Sequence, residues 1–521
     1  MPDMLVHEPT HSLLLQVPDP LSIRELLPHS RTLPRDDYNL AVQHTLESTR
    51  VLRNLGFYAP APIRYGYRWP GKFRPFAHQI TMAEFLTLNK RAFNLSEMGS
   101  AKTNGALWAA DWLMTEGHVR KVLVVTPLST VDRVWAQDIF DTLMHRRCAI
   151  VHGTREKRLK MLAADVDFYI INHDGIAIKE IEDIIARTPE IDLVIVDEAG
   201  MFRNAQTRKY KALSRLVARR DLRLWLLTGT PCPNAPTDAW ALARLVAPAR
   251  VPKFFGAFKR QTMMQVSQFK WVPRADAFTT AYAAMQPAVR FKKADCLDLP
   301  PVTTQDHTCE LTPEQKTAVK ELKKDMVAAL AGKRVITAAN AADQIGKLRQ
   351  ILCGAVKVGE DEYLPIPSAP RLGALMTAIE SASAKVIVVV PFKGIQRLLL
   401  EEIGRHYPVE LINGDVSPAK RNEIIKRFKT TPEPHVLLCH PKVMAHGLNL
   451  TEADTMIFYA PIYSNDEFQQ VMDRFNRAGQ TRKMTIIRLG AHPLEWKIYD
   501  LLDNRKAVQN SILDLYKAVT E

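Results

Sequence analysis

Three short segments of the chain carry side chains suited to handling phosphate. The first, Ser96-Glu97-Met98-Gly99-Ser100-Ala101-Lys102-Thr103, follows an apolar stretch and precedes a helical pattern. A loop so placed offers backbone N–H groups and a helix N-terminus to an anion. Lys102 would put a point charge on the β- and γ-phosphates, and the Thr103 hydroxyl would coordinate magnesium. Glycines are expected in such a loop where this chain has Ser96 and Ala101. Ala101 fits only with a negative φ and its methyl turned from the phosphates. Lys-Thr at a helix start is common, so this segment carries little weight alone.

The second segment, Leu193-Val194-Ile195-Val196-Asp197-Glu198-Ala199, is an apolar run ending in adjacent carboxylates. Carboxylates just past a buried strand project from the edge of a parallel sheet where ligands bind. Asp197 could hold magnesium, largely through water, while Glu198 polarises a water for in-line attack on a γ-phosphate. The third, Leu226-Leu227-Thr228-Gly229-Thr230-Pro231, sets two hydroxyls beside a glycine after another apolar run. Taken singly, it is also what an ordinary turn looks like.

The elements that must position these residues follow from the apolar pattern. Runs at Lys121 to Val125, Asp167 to Ile171, Leu193 to Val196 and Leu222 to Leu227 suit strands buried on both faces of a parallel sheet. Helical stretches at Thr103 to Met114 and Thr130 to Leu143 lie between them, giving an α/β lobe over residues 71–249. Residues 1–70 form an N-terminal extension without a legible motif. From Arg250 the chain turns aromatic and basic, with Phe254, Phe255, Phe258, Phe269 and Trp271 among Lys253, Lys259, Arg260, Lys270 and Arg274. These aromatics suit either a duplex-gripping surface or the small core of a helical insert. Thr312-Pro313-Glu314-Gln315 then combines an N-cap, a first-turn proline and a capping-box glutamine, which starts a helix. We assign 250–370 to a linker and helical insert. A second α/β lobe spans 371–521, with strands expected at Lys385 to Val390, Glu410 to Ile412, His435 to Leu438, Thr455 to Tyr459 and Met484 to Leu489, and a final helix from about Leu494.

Bulk properties narrow the class. A chain of 521 residues with 46% hydrophobic content has room for two cores. Its net charge of +14 favours phosphate-rich partners. The six cysteines show no C-x-x-C pair or zinc-ligand spacing and suit thiols in a reducing compartment. The start is too acidic and its apolar run too short for a signal peptide, and no apolar run reaches the ~20 residues of a membrane helix. We expect a cytoplasmic protein without a membrane partner.

In order, the three phosphate-handling segments closely resemble those of superfamily-two helicases, and among these the Swi/Snf-type translocases, including bacteriophage-encoded members. The resemblance runs from about Phe73 to Leu489 and implies two tandem RecA-like lobes closing on ATP and Mg2+. Arg74-Pro75-Phe76-Ala77-His78-Gln79 looks like the adenine-recognising segment, with Gln79 reading the base. Thr228, Gly229 and Thr230 would couple hydrolysis to motion. In the second lobe Ala445-His446-Gly447-Leu448-Asn449-Leu450 resembles the segment contacting nucleotide and strand. Gln470-Val471-Met472-Asp473-Arg474-Phe475-Asn476-Arg477-Ala478-Gly479-Gln480 is similar to the arginine-finger helix. Gln470 would meet the nucleotide, and Arg474 and Arg477, three apart, would share a helical face and reach one anion in a fixed fork. DNA contacts implied by the family's pattern are Thr126, Pro127, Asn172, His173, Lys393, Asn413 and Gly414. They would meet mainly phosphates and therefore read little sequence. One departure is Gly200, where the family usually has His or Ser.

With the phosphate loop on one lobe and the arginines on the other, each hydrolysis cycle would close and reopen the cleft and step the lobes along DNA. Duplex or branched DNA is the expected track, with RNA less favoured. Two alternatives remain: a strand-separating helicase, and a nucleic-acid-binding regulator whose ATP site has degenerated at Ser96, Ala101 and Gly200.

Overall fold

The computed structural model describes residues 4–34, 37–218, 221–232, 235–267, 271–296, 300–331, 338–359, 362–430, 436–444, 450–476, 480–504, 515 and 519. They fall into two compact units, 1–296 and 297–521.

The first unit is built on a seven-stranded, wholly parallel sheet. Its order is Ala288–Val289, Arg91–Asn94, Arg223–Leu227, Ile191–Val196, Lys121–Thr126, Phe168–Asn172 and Cys148–Val151. Alternate residues face opposite cores: Leu123 and Val125 pack on one side, Val122 and Val124 on the other. Burial on both faces is why these strands read as unbroken apolar runs. The phosphate-loop strand Arg91–Asn94 and the carboxylate strand Ile191–Val196 flank Arg223–Leu227, so all three motifs emerge at one sheet edge, within about 10 Å across two strand spacings.

Residues 4–54 form a separate four-stranded antiparallel sheet, in the order Met4–His7, Ser12–Leu15, Leu40–Gln43, Arg31–Thr32, over a core that includes Leu13, Leu15, Ile23 and Leu40. Its connection to the lobe runs through the buried Glu84, whose carboxylate accepts from Arg53 Nη2 at 2.8 Å, Arg64 Nη2 at 2.7 Å and the Ala61 amide at 2.7 Å. Glu84 lies on helix Ala77–Leu88, which also carries Gln79.

The second unit has a six-stranded parallel sheet in the order Val302–Thr308, Met484–Gly490, Ala453–Phe458, Lys385–Val389, Val436–Cys439, Val409–Ile412. All five strands expected in this lobe are present, each within two residues of its expected ends. The capping box forms as read: the Thr312 amide donates to Gln315 Oε1 at 3.1 Å and the Gln315 amide to Thr312 Oγ1 at 3.2 Å, ahead of helix Pro313–Ala331. The region read as linker does more than connect. It supplies Ala288–Val289 to one sheet edge and Val302–Thr308 to the other. The first is two residues long and the second is mostly exposed and polar, so neither leaves an apolar signal.

The expected helix Thr130 to Leu143 is three pieces. A 3-10 turn Leu128–Thr130 leads into a π-helical stretch Val131–Ala136, and only Gln137–Thr142 is α-helical. The aromatics of the basic insert divide by burial. Phe258 is buried core, whereas Phe254 is 71% exposed, and Phe269 lies outside the described residues. Among the described residues no helix is long and apolar enough to cross a membrane.

Candidate functional site

Strand Arg91–Asn94 delivers the chain to the phosphate loop, and Asn94 fixes its exit. The Asn94 side chain accepts from the Ser96 amide at 3.1 Å, and its carbonyl accepts from the Thr228 amide at 3.0 Å. Ser96, standing where a glycine is usual, uses its hydroxyl to accept from the Phe291 amide at 3.2 Å. Glu97 binds the same flank, its amide donating to Phe291 O at 3.0 Å and its carboxylate accepting from the Lys293 amide at 3.0 Å. The loop turns at Gly99, with φ +78°, and enters helix Lys102–Thr115 through Ala101. Ala101 does not have the negative φ expected for it: it is left-handed, at φ +53° and ψ +40°. Its Cβ therefore meets a steric cost that glycine would not.

Helix Ala77–Leu88 braces this loop from behind. His78 donates Nε2–H to Ser100 O at 2.9 Å, Gln79 donates Nε2–H to Ala101 O at 3.0 Å, and Gln79 Oε1 accepts from the Phe76 amide at 2.8 Å. Both ends of the Gln79 amide thus hold protein backbone. Lys102 is 8% exposed, and among the described residues no carboxylate pairs with it. Thr103 is half-buried on the next position of the helix.

Among the described residues Asp197 is held by neutral donors alone. Its Oδ2 accepts from Trp135 Nε1 at 2.9 Å and from Thr126 Oγ1 at 3.3 Å, and its Oδ1 from the Glu198 amide at 3.0 Å. The π-helical stretch carries the fully buried Trp135 to this bond, a use consistent with the concentration of π turns at functional sites. His173, pushed down to about 4 by burial and so neutral near pH 7, donates Nε2–H to the Asp197 carbonyl at 2.8 Å and stands edge-on to Phe202. The side chains of Thr126 and His173 are therefore turned to the carboxylate segment and buried. Pro127 and Asn172 remain half-buried at the sheet edge, and Asn172 Oδ1 accepts from Arg158 Nη1 at 3.4 Å. Glu198 takes a left-handed backbone, φ +48°.

The middle strand closes the arrangement. A Cβ at Gly229 would stand 2.9 Å from Met98 Cγ and 3.0 Å from Met98 N, so only glycine lets this turn approach the phosphate loop so closely. Thr228 is fully buried and its Oγ1 accepts from the Thr230 amide at 3.3 Å. Gly200 faces the same turn, and a Cβ there would lie 3.6 Å from Thr230 O and 3.7 Å from Thr228 Oγ1. The departure from the family's His or Ser at Gly200 thus removes a contact between the carboxylate segment and Thr228–Thr230.

In the second unit, helix Asn465–Phe475 buries Phe468, Val471 and Phe475 and leaves Gln470 and Arg474, four apart, together off that stripe. The helix ends at Phe475, and Asn476 leaves in an extended conformation. The expectation that Arg474 and Arg477 share one helical face turns on Arg477, which is not among the described residues. Arg477 and Gly447 lie outside the described residues. Lys393, Asn413 and Gly414 follow the C-terminal ends of strands Lys385–Val389 and Val409–Ile412, which flank Val436–Cys439. Lys393 Nζ meets Asp415 Oδ1 at 2.6 Å, and Asn413 accepts from the Asp415 amide at 3.0 Å and donates to Gln396 Oε1 at 3.2 Å.

Comparison with known proteins matches the SNF2-related domain over residues 78–356, more than half of the chain, and the helicase conserved C-terminal domain over 371–479. The chain belongs to the SNF2-related family. It is 24% identical over 459 residues to the TATA-binding protein-associated factor mot1 of Aspergillus fumigatus, covering 77% of this chain and 24% of that protein. It is 23% identical over 400 residues to an uncharacterized ATP-dependent helicase of Mycoplasma genitalium, covering 75% of this chain and 37% of that protein. The chain therefore spans well under half the length of these relatives. The structure of the Sulfolobus solfataricus SWI2/SNF2 ATPase core in complex with dsDNA matches with a TM-score of 0.41 at 22% identity, over 87% of this chain and 96% of that one.

Membership in the SNF2-related family carries a helicase-like ATPase and implies ATP, usually with Mg2+. The residues present fit that pair. Among the described residues, a buried ammonium without a carboxylate and a buried carboxylate without a cation, at one sheet edge, are each incompletely compensated and complementary to a magnesium-bound triphosphate. Lys102 would face phosphate, and Thr103 and Asp197 would hold the metal. Sequence reading missed Trp135, Asn94 and the Phe291–Lys293 flank, because their contacts join residues far apart in the chain.

Proposed function

We propose that this SNF2-related chain is a DNA-dependent ATPase that moves along duplex or branched DNA. The observation carrying this reading is the convergence of Lys102 and Asp197, each without a partner of opposite charge among the described residues, on either side of the Thr228–Thr230 turn. When bound, Mg2+ would neutralise charge on the transferring phosphoryl group. Lys102 orients the phosphates, and Glu198 polarises the attacking water from its left-handed position beside Asp197. Arg474, joined by Arg477, supplies guanidinium charge from the second unit, with Gly447 and Gln470 on nucleotide. Gln79, once released from the Ala101 carbonyl, reads the adenine.

Pro127, Asn172, Lys393, Asn413 and Gly414 hold phosphates of the track. Thr126 and His173 act one step back: they link strand contacts at the sheet edge to the Asp197 segment. The bacteriophage affinity suggested by the motifs belongs to the same proposal.

ATP turnover measured with single-stranded, double-stranded and branched DNA, and with RNA, tests the reading. Stimulation by duplex or branched DNA is expected. Lys102→Ala and Glu198→Gln should each cut stimulated turnover by about a hundredfold or more, with salt-sensitive DNA binding retained. Wild-type protein that turns over ATP on no nucleic acid would leave only a binding regulator, the reading that strained Ala101 and Gly200 favour. Triplex displacement without duplex unwinding separates translocation from strand separation.

A further inference from the structure

Arg349, on helix Ala338–Cys353, is 5% exposed and pairs with no carboxylate among the described residues. Its guanidinium lies between two aromatic rings, 5.0 Å from the Phe392 centroid and 5.0 Å from the Tyr463 centroid. Its Nη2 donates to the Pro461 carbonyl, and its Nε has no partner among the described residues. Burying a cation with an unmet donor is costly, and the ring faces offset only part of that cost. An apolar side chain of similar length would fill the space more cheaply. The value of the arginine therefore lies in what it joins.

One ring leads to the phosphate-facing turn. Phe392 immediately precedes Lys393, the first residue of helix Lys393–Gly404. The Phe392 carbonyl accepts from the Gln396 amide at 3.0 Å, and Gln396 Oε1 accepts from Asn413 at 3.2 Å. Lys393 and Asn413 also share Asp415. The other ring leads to the arginine-bearing helix. Pro461 and Tyr463 are its lead-in, and Ser464 caps it by accepting from the Glu467 amide at 3.3 Å. Ten residues beyond Ser464 is Arg474.

We propose that Arg349 is a positioning residue that locks the Phe392–Lys393 turn to the Pro461–Ser464 turn, so that a phosphate seated at Lys393 and Asn413 sets the placement of Arg474. The proposal rests on the reading of the chain as a DNA-dependent ATPase. A continuous run of contacts is itself only a candidate route, and coupling must be measured.

ATP turnover with and without saturating duplex DNA, and DNA affinity by anisotropy, test it in the full chain. Arg349→Met removes the charge, Arg349→Lys keeps the charge but loses the planar fork, and Phe392→Leu removes one ring. The ratio of stimulated to unstimulated turnover should fall about tenfold in both Arg349 variants, and in the same direction in Phe392→Leu. The double variant Arg349→Met with Phe392→Leu should fall little further, because both act through one contact. DNA affinity should stay within about twofold, since neither residue touches the strand. Equal loss of stimulated and unstimulated turnover, or an unchanged ratio, overturns the proposal and leaves Arg349 a packing residue. If Arg349→Met does not fold, Arg349→Lys and Phe392→Leu decide. A wild-type enzyme indifferent to DNA overturns the ATPase reading as well, whereas a stimulated wild type with stimulated variants overturns this inference alone.

Discussion

In the first unit the functional ammonium and carboxylate are sealed into the sheet edge, with Asp197 gripped by an indole, a hydroxyl and an amide. In the second, Lys393 and Asp415 meet with 43% and 59% of their side chains exposed. Backbone strain divides the same way. Four non-glycine residues among those described have positive φ, and two of them, Ala101 and Glu198, belong to the phosphate and carboxylate motifs; none is in the second unit. Strain persists only where the surroundings over-determine it. The contrast separates two kinds of site. Under the proposed function, one is set rigidly for a fixed transition state, and the other keeps surface groups whose protein partners a phosphate of the track would displace.

The largest effect should come from a place where the second unit is as sealed as the first. Arg371 and Glu495 form a bidentate pair, 2.6 Å and 3.3 Å, with side chains 1% and 0% exposed. Arg371 also donates to the carbonyls of Leu352 and Leu489, tying helix Ala338–Cys353 to strand Met484–Gly490. Glu495→Gln leaves a buried guanidinium uncompensated and should cost about 3–5 kcal/mol. Thermal unfolding should show a lowered transition for the second unit, while nucleotide binding by the first survives. A transition that does not move would mean that the second unit has no rigid frame, and the contrast between the units would lie in the frame as well as in the site.

How much of this was legible depended on whether a signal is local. Strands buried on both faces appeared as apolar runs, and the Thr312–Gln315 box was read correctly because a cap is a property of four consecutive residues. Two edge strands were not legible: Ala288–Val289 is too short, and Val302–Thr308 is polar and mostly exposed. The π-helical stretch around Trp135 follows a helical apolar pattern, and its departure serves a carboxylate 62 residues away. The site motifs were found by order along the chain. What they touch was not found: the side chains of Thr126 and His173 meet the Asp197 segment, a contact that no local pattern shows. Ala101 was given the φ that an alanine prefers; the fold instead imposes the one the loop needs.

Ala101→Gly tests whether that imposed conformation is real. Left-handed backbone costs an L-residue about 1–2 kcal/mol, and glycine returns about 0.4–1 kcal/mol of that through its freer unfolded chain. The variant should be more stable by up to about 1 kcal/mol, measured by denaturant midpoint at unchanged slope. Nucleotide affinity should rise modestly with it. A destabilised variant would show that Ala101 carries no strain, and the division of strain between the units would fail.

The smallest effect is expected where partners are exchangeable. Asp415→Asn frees Lys393 from an exposed ion pair, which contributes little in water, so DNA affinity at low salt should rise by no more than about fivefold. The gain should shrink as salt is raised, because the same screening that weakens the pair weakens the phosphate contact. Lys393→Ala should lower affinity evenly across sequences and flatten the salt dependence, as loss of one phosphate contact requires. Anisotropy titrations at two salt concentrations distinguish these outcomes. If Asp415→Asn instead weakens binding, Asp415 is holding Lys393 in the geometry the strand needs. The second unit would then be pre-set for phosphate much as Asp197 is set by Trp135, and displacement of protein partners would no longer account for the proposed grip and release of DNA.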